Sequence, residues 1–223
     1  SQLKYLKTLI LKDNQFLILN IKSESLEELN VSGNILSEMC LHTPRLTSLD
    51  ISRNTTFMLT KEFFKGLPHL TFLNMSHRYK EISNSFELLA SLVELDISLN
   101  CLSYLPKGLT KLSKLEKLNA SRNNLTSVEG IETLSSLVHL DLSHTDIQTP
   151  PTLPTSCVYV NLSDTKIQDD PFPTTVTLIY TDTPLWSILH PFDYDDIYSD
   201  EVESDDDESS EYGSSDESGD DFS

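Results

Sequence analysis

Glycine is scarce, six in 223 residues. No glycine-rich phosphate loop and no nucleophile elbow can be traced. The three cysteines, Cys40, Cys101 and Cys157, lie far apart. They offer no CxxC pair and no metal-ligand spacing, so reduced, structural thiols are expected. Apolar runs long enough to span a membrane are missing, as are lipidation signals. The chain opens on Ser1-Gln2 without a signal peptide, which suggests an excerpt or a processed N-terminus. Basic residues vanish towards the C-terminus. Residues 191–223 hold fifteen Asp/Glu and no Lys/Arg, against fifteen Lys/Arg and twelve Asp/Glu in residues 1–122. A net charge of −19 argues against nucleic acid as partner, because phosphate binding needs clustered Lys/Arg. It argues equally against docking on anionic membrane.

What is present is a repeat. Leu6-Leu9-Leu11-Asn14, Leu26-Leu29-Val31-Asn34 and Leu46-Leu49-Ile51-Asn54 write LxxLxLxxN three times. Leu70-Leu73-Met75-Arg78, Leu92-Leu95-Ile97-Asn100 and Leu115-Leu118-Ala120-Asn123 continue it. Leu137-Leu140-Leu142-Thr145, Cys157-Val160-Leu162-Thr165 and Val176-Ile179-Thr181-Pro184 drift from it. Steps of about 20 residues are the signature of a solenoid. Alternating apolar residues share one face of a short strand, and a single repeat cannot bury that face alone. The Asn after each strand predicts a buried ladder, since its amide both donates and accepts. Thr145 and Thr165 supply only a hydroxyl, and Arg78 is costly to bury, so repeat four should be irregular and the C-terminal end looser.

This pattern resembles the leucine-rich-repeat family over roughly residues 3–186. The resemblance implies an α/β right-handed solenoid of about nine repeats, with a parallel β-sheet on the concave face and a mostly irregular convex side. Lys107–Leu115 and Gly130–Leu137 suit short helical turns; the Pro-rich Thr149–Thr155 and Asp169–Thr174 do not. The domain is expected to span 1–192, with Leu185, Trp186, Ile188, Leu189 and Phe192 as a C-terminal cap. Residues 193–223 carry too little apolar surface to offset ordering entropy and are expected to be disordered. Ser204, Ser214 and Ser218 each precede an acid by three residues, which suits phosphorylation; Tyr194, Tyr198 and Tyr212 lie among acids, which suits sulfation.

Strand positions between the inward leucines should face the concave surface. On neighbouring coils they place His139, Tyr159, Leu178 and Tyr180 beside Asp141 and Asp182, the best candidate for a protein-binding patch. An alternating Asn/Asp row beside it reads as repeat consensus. No catalytic, metal or cofactor constellation is recognisable, so a non-enzymatic scaffold without cofactor is expected. Its concave face would bind a protein, and the tail would engage a basic protein.

Two branches of the family compete. The segment LTKEFFKGLPHL resembles the longer extracellular-type repeat with its Phe spine, and LKTLILKDNQ, LDISRN and LNMS resemble Toll-like receptor ectodomains. Asn-X-Ser/Thr sequons begin at Asn30, Asn54, Asn74, Asn119, Asn124 and Asn161. These imply a receptor- or adhesion-type ectodomain fragment with a sulfated tail. The segment VEGIETLSSLVHLDLSHTDI is similar to phosphatase-regulator repeats. With an acidic tail it implies a nuclear histone-binding or phosphatase-regulating protein. Missing cap cysteines tip the expectation towards an intracellular setting.

Overall fold

A computed structural model describes residues 4–54, 57–77, 79 and 84–167, and the backbone of 177–179. All of them belong to one compact unit, Ser1–Trp186. Each repeat contributes one three-residue strand to a single parallel sheet. In chain order these are β1 (Thr8–Ile10), β3 (Glu28–Asn30), β5 (Ser48–Asp50), β6 (Phe72–Asn74), β7 (Glu94–Asp96), β8 (Lys117–Asn119), β9 (His139–Asp141), β10 (Tyr159–Asn161) and β11 (Thr177–Ile179). The central residue of each strand from Leu29 to Val160 is at most 2% exposed, and each is paired in register with its neighbours. Leu9 in the first coil is only half-buried, because no preceding coil covers it among the described residues.

The other side of the coils is irregular, with two additions. Strands β2 (Ile18–Lys22) and β4 (Glu38–His42) pair in parallel as a second small sheet. Their Leu19, Ile21, Met39 and Leu41 pack on the core, following the period-2 alternation in their sequence. Residues Lys61–Lys65 form a short helix, α1, whose start is capped by the Thr60 hydroxyl accepting from the Phe63 N–H at 3.2 Å. Its Phe64 packs against Phe86 with ring centroids 5.2 Å apart and planes tilted by 52°, and Phe63 meets Phe57 edge-on at 5.1 Å. These rings fill the wider coils whose repeats exceed 20 residues. The helical turns expected after Lys107 and Gly130 are 3-10 turns at Lys107–Lys111 and Ile131–Thr133. The Pro-rich stretch at 149–155 holds no helix.

The asparagine ladder forms as the sequence implied. Asn123 Nδ2 donates to the carbonyls of Ala120 and Ser121 in its own coil and Ile97 in the preceding one, at 3.0–3.1 Å. Its Oδ1 accepts from Leu102 N–H at 3.1 Å. Asn34, Asn54 and Asn100 repeat this bridge between coils. Arg78 lies outside the described residues, but the next residue shows how the gap is closed. Tyr79 is buried, and its hydroxyl donates to Ile51 O at 2.8 Å. That is the preceding-coil carbonyl a ladder asparagine would have taken. Burial pushes the phenol's pKa well above its ordinary value, the Asp50 carboxylate adding to the effect, so it stays a donor. Thr145 and Thr165 spend their single hydroxyl proton on Leu142 O and Leu162 O of their own coils. They leave the inter-coil bond unmade.

The last repeat departs from the sequence reading by one residue. The LxxLxLxxN alignment set Ile179 opposite Val160. In the sheet Thr177 pairs with Tyr159, Leu178 with Val160 and Ile179 with Asn161. The final step is therefore one residue shorter than the motif count. A one-residue slip in a strand exchanges its two faces.

Two substitutions test the ladder. Asn123→Ala strands the Ala120 carbonyl and the Leu102 N–H, while Ile97 O keeps Asn100 and Ser121 O keeps the Leu99 N–H, and should lower stability by about 3 kcal/mol. Thr145→Asn restores the inter-coil bond and should raise it by about 1 kcal/mol. Urea midpoints of the two variants measure both.

Candidate functional site

The concave surface is built from rows of residues that repeat once per coil. The central polar row reads Asn30, Asp50, Asn74, Asp96, Asn119, Asp141, Asn161. Each side-chain Oδ1 accepts the N–H of the Ser two residues on, at 2.8–3.1 Å, from Ser32 through Ser163. This Asx turn ends the strand. The next residue then enters the left-handed region in every described coil: Gly33, and also Asp13, Arg53, His77, Leu99, Arg122, His144 and Asp164, with φ of 52–75°.

The alternation of Asn and Asp has a physical cause. With Oδ1 committed to the turn, the second side-chain atom faces the neighbouring coil. Asparagine presents a donor there and aspartate an acceptor. Asn30 donates to Asp50 at 3.4 Å, Asn119 to Asp96 at 3.2 Å and Asn161 to Asp141 at 3.3 Å. Two adjacent asparagines would set donor against donor. Asp141 is thus buried and fully engaged in this ladder, whereas the sequence reading set it among the partner-binding residues.

The row at the strand starts is different. Thr8, Glu28, Ser48, Phe72, Glu94, Lys117, His139 and Tyr159 lie in register, and their chemistry changes from coil to coil. Lys117 Nζ and Glu94 Oε1 are 2.6 Å apart, both side chains about a fifth exposed. His139 and Tyr159 stack almost parallel, with ring centroids 4.7 Å apart and planes at 6°. Both rings are half-buried. Burial pushes the His139 pKa below the ordinary histidine range; the Lys117 cation adds to this and Glu94 opposes it. The imidazole is therefore neutral at pH 7. Its Nδ1 is buried without a hydrogen-bond partner, which places the ring proton on Nε2, since a buried bare N–H costs more than a lone pair.

The sequence assembled six residues into one patch, and the structure brings only some of them together. His139 and Tyr159 are in contact. Leu178 opposes Val160, not Tyr159 as the motif count implied. Tyr180 and Asp182 lie outside the described residues, as do Ser204, Ser214, Ser218, Tyr194, Tyr198 and Tyr212. Sequence reading missed a chain of side chains at the strand exits. Arg122 Nη2 approaches His144 Nε2 at 3.4 Å, and His144 Nδ1 meets Asp164 Oδ2 at 3.2 Å. The signal was there in the 22- and 20-residue spacing of these three positions.

Burial also charges the polar row with a pH dependence. Asp96 is pushed up to about 6, mainly by desolvation, while its bonds to Ser98 and Asn119 pull the other way. Asp50 and Asp141 shift upward for the same first reason. A carboxyl whose folded pKa exceeds its unfolded value binds more protons when folded, so its contribution fades as pH rises through about 4 to 6. The urea midpoint of the wild type should fall over that window relative to Asp96→Asn, by up to about 3 kcal/mol of stability. Parallel profiles for the two proteins would refute this origin.

Known proteins place this geometry. The leucine rich repeat family profiles match residues 44–102 and 133–150. Rabbit lumican is 32% identical over 162 residues, covering 59% of this chain and 83% of that protein. Human Toll-like receptor 1 is 30% identical over 161 residues, 67% of this chain and 17% of the receptor. Arabidopsis disease resistance protein RPS5 is 36% identical over 100 residues, 44% of this chain and 11% of that one. The chain thus spans a small part of several relatives, and 47% of human lumican. Among solved structures, internalin C2 of Listeria monocytogenes superposes with a TM-score of 0.61 at 21% identity, over 77% of this chain and 80% of its own. A structure of the TLR13–ssRNA13 complex superposes with a TM-score of 0.56 at 23% identity, over 69% of this chain and 28% of that one. Repeat spacing, sheet, ladder and relatives agree: the chain belongs to the leucine-rich-repeat family.

Proposed function

We propose that this chain is a non-catalytic binding module that holds a protein partner on its concave sheet, centred on His139 and Tyr159. The observation that carries the reading is the contrast between adjacent rows. The Asn/Asp row is consumed by the fold, whereas the strand-start row makes no such repeated bond and varies in chemistry. A flat, half-exposed imidazole–phenol stack beside a Lys–Glu pair supplies aromatic area, a Nε2–H donor and a phenolic hydroxyl. Such anchors dominate protein interfaces. A partner that fits would present an apolar edge with a hydrogen-bond acceptor.

The acidic segment 193–223 would add a long-range attraction for a basic partner. The family's usual role as a binding scaffold agrees with a non-enzymatic reading.

Replacing His139 and Tyr159 together by Ala should weaken partner capture by about 2 kcal/mol, roughly thirtyfold, with circular dichroism unchanged. Capture at the wild-type level by a folded double variant would sink the assignment. Deleting 193–223 should weaken binding to a lysine homopolymer at about 10 mM salt and make no difference at about 1 M. A deletion variant with the full chain's salt profile would show that the tail does not steer.

A further inference from the structure

Six sequons are written into the chain, but they are not equivalent once folded. In four, the amide nitrogen that would receive a sugar already donates inside the protein, and in the fifth, Asn74, the side chain is half-buried in the concave row. Asn30 Nδ2 donates to Asp50, Asn119 Nδ2 to Asp96 and Asn161 Nδ2 to Asp141. Asn54 Nδ2 is shared among the carbonyls of Val31, Ile51 and Ser52 and is wholly buried. In three of the concave sequons the Ser hydroxyl is also spent, donating to the Oδ1 of its own Asn: Ser32, Ser121 and Ser163. These sequons arise because the repeat places Asn and Ser two apart to build the Asx turn.

Asn124-Leu125-Thr126 is built differently. It does not coincide with the Asx turn but follows the ladder residue Asn123. Asn124 and Thr126 are exposed, and Leu125 between them is wholly buried. That alternation anchors the segment by its middle residue and turns both polar side chains to solvent. Its counterparts in the following coils, Asp146 and Lys166, reach each other at 2.6 Å, so this row stacks from coil to coil beyond the end of the strand, separate from the strand-start row of the sheet.

We propose that Asn124 is the N-glycan acceptor of the described domain. The sequon chemistry requires an accessible asparagine amide with a hydroxyl two residues on. In the transfer, Asn124 Nδ2 bonds to the anomeric carbon of a lipid-pyrophosphate oligosaccharide. The bond from that carbon to the pyrophosphate oxygen breaks, the lipid pyrophosphate leaves, and the amide gives up one proton. A sugar on Asn124 costs no internal hydrogen bond and leaves the concave sheet open. A sugar on Asn54, Asn119 or Asn161 would remove a buried bond and force a saccharide into the coil stack.

The test is to direct the full chain into the secretory lumen of cultured eukaryotic cells and recover the folded, secreted protein. Glycans are released enzymatically in heavy-oxygen water, and the labelled asparagines are mapped by peptide mass. The expected result is a label on Asn124, none on Asn54, Asn119 or Asn161, and loss of the glycan in both Asn124→Gln and Thr126→Ala with circular dichroism unchanged. The second variant leaves Asn124 itself intact, so a folding defect in the first does not blur the reading. An unlabelled Asn124, or a glycan on Asn54, Asn119 or Asn161 in folded protein, overturns the inference.

Discussion

Each described coil ends its concave strand inside the protein, and carbonyls just past it, such as Ile97 O and Ala120 O, have no backbone partner. Buried and bare, each would cost on the order of a few kcal/mol. The asparagine amide after the strand resolves this, because one side chain donates to carbonyls of two coils and accepts a N–H from the loop. Apolar stacking drives the coils together, but it is indifferent to register. The ladder makes one register satisfiable, and the inward leucines then stack in line. Where the asparagine is replaced, a different residue must do its work. Tyr79 reaches Ile51 O from the neighbouring position, while Thr145 binds only its own coil.

A second polar row runs beside the first and constrains the surface. Oδ1 of each Asn or Asp closes a turn, and the other atom reaches the next coil. That leaves no freedom for recognition in the row, however polar it looks. It also imposes a left-handed residue after each turn, held at Arg53, Leu99 and Arg122 with φ near 50–56° despite the intrinsic cost of about 1 kcal/mol or more for a side chain there. Specificity is displaced to the strand starts, where Glu94, Lys117, His139 and Tyr159 follow one another.

The periodic part of the fold was legible in the sequence because one repeat is checked against the next. Strand positions from Leu9 to Val160, the inward rows, the ladder and the weaker Thr145 and Thr165 rungs follow from spacing and hydrogen-bonding capacity alone. The misreadings fall where periodicity ends or where the repeat motif is silent. Val176 and Ile179 fit the motif by hydrophobicity, yet the sheet pairs Leu178 with Val160; hydrophobic spacing alone cannot tell these registers apart. Asp141 looked like a surface acid because exposure was inferred from strand alternation, and the close flanking rows that bury it are not written in its own coil. The sheet of β2 and β4 was hidden in two short alternating segments without a turn between them. Sequons and cysteines count alike in sequence, whereas the structure separates the exposed Asn124 from four asparagines whose amides are engaged.

Asn123 and Asn124 are neighbours in sequence with opposite fates. One holds two coils together from inside, and the other makes no side-chain hydrogen bond among the described residues and is exposed. The most direct measurement of the account is the exchange rate of side-chain amide protons, read by NMR on the folded chain. The ladder predicts strong protection of the Nδ2 protons of Asn54, Asn100 and Asn123, with Asn124 exchanging like a free amide. Comparable fast exchange at Asn123 and Asn124 would contradict the claim that buried asparagines set the register of the solenoid.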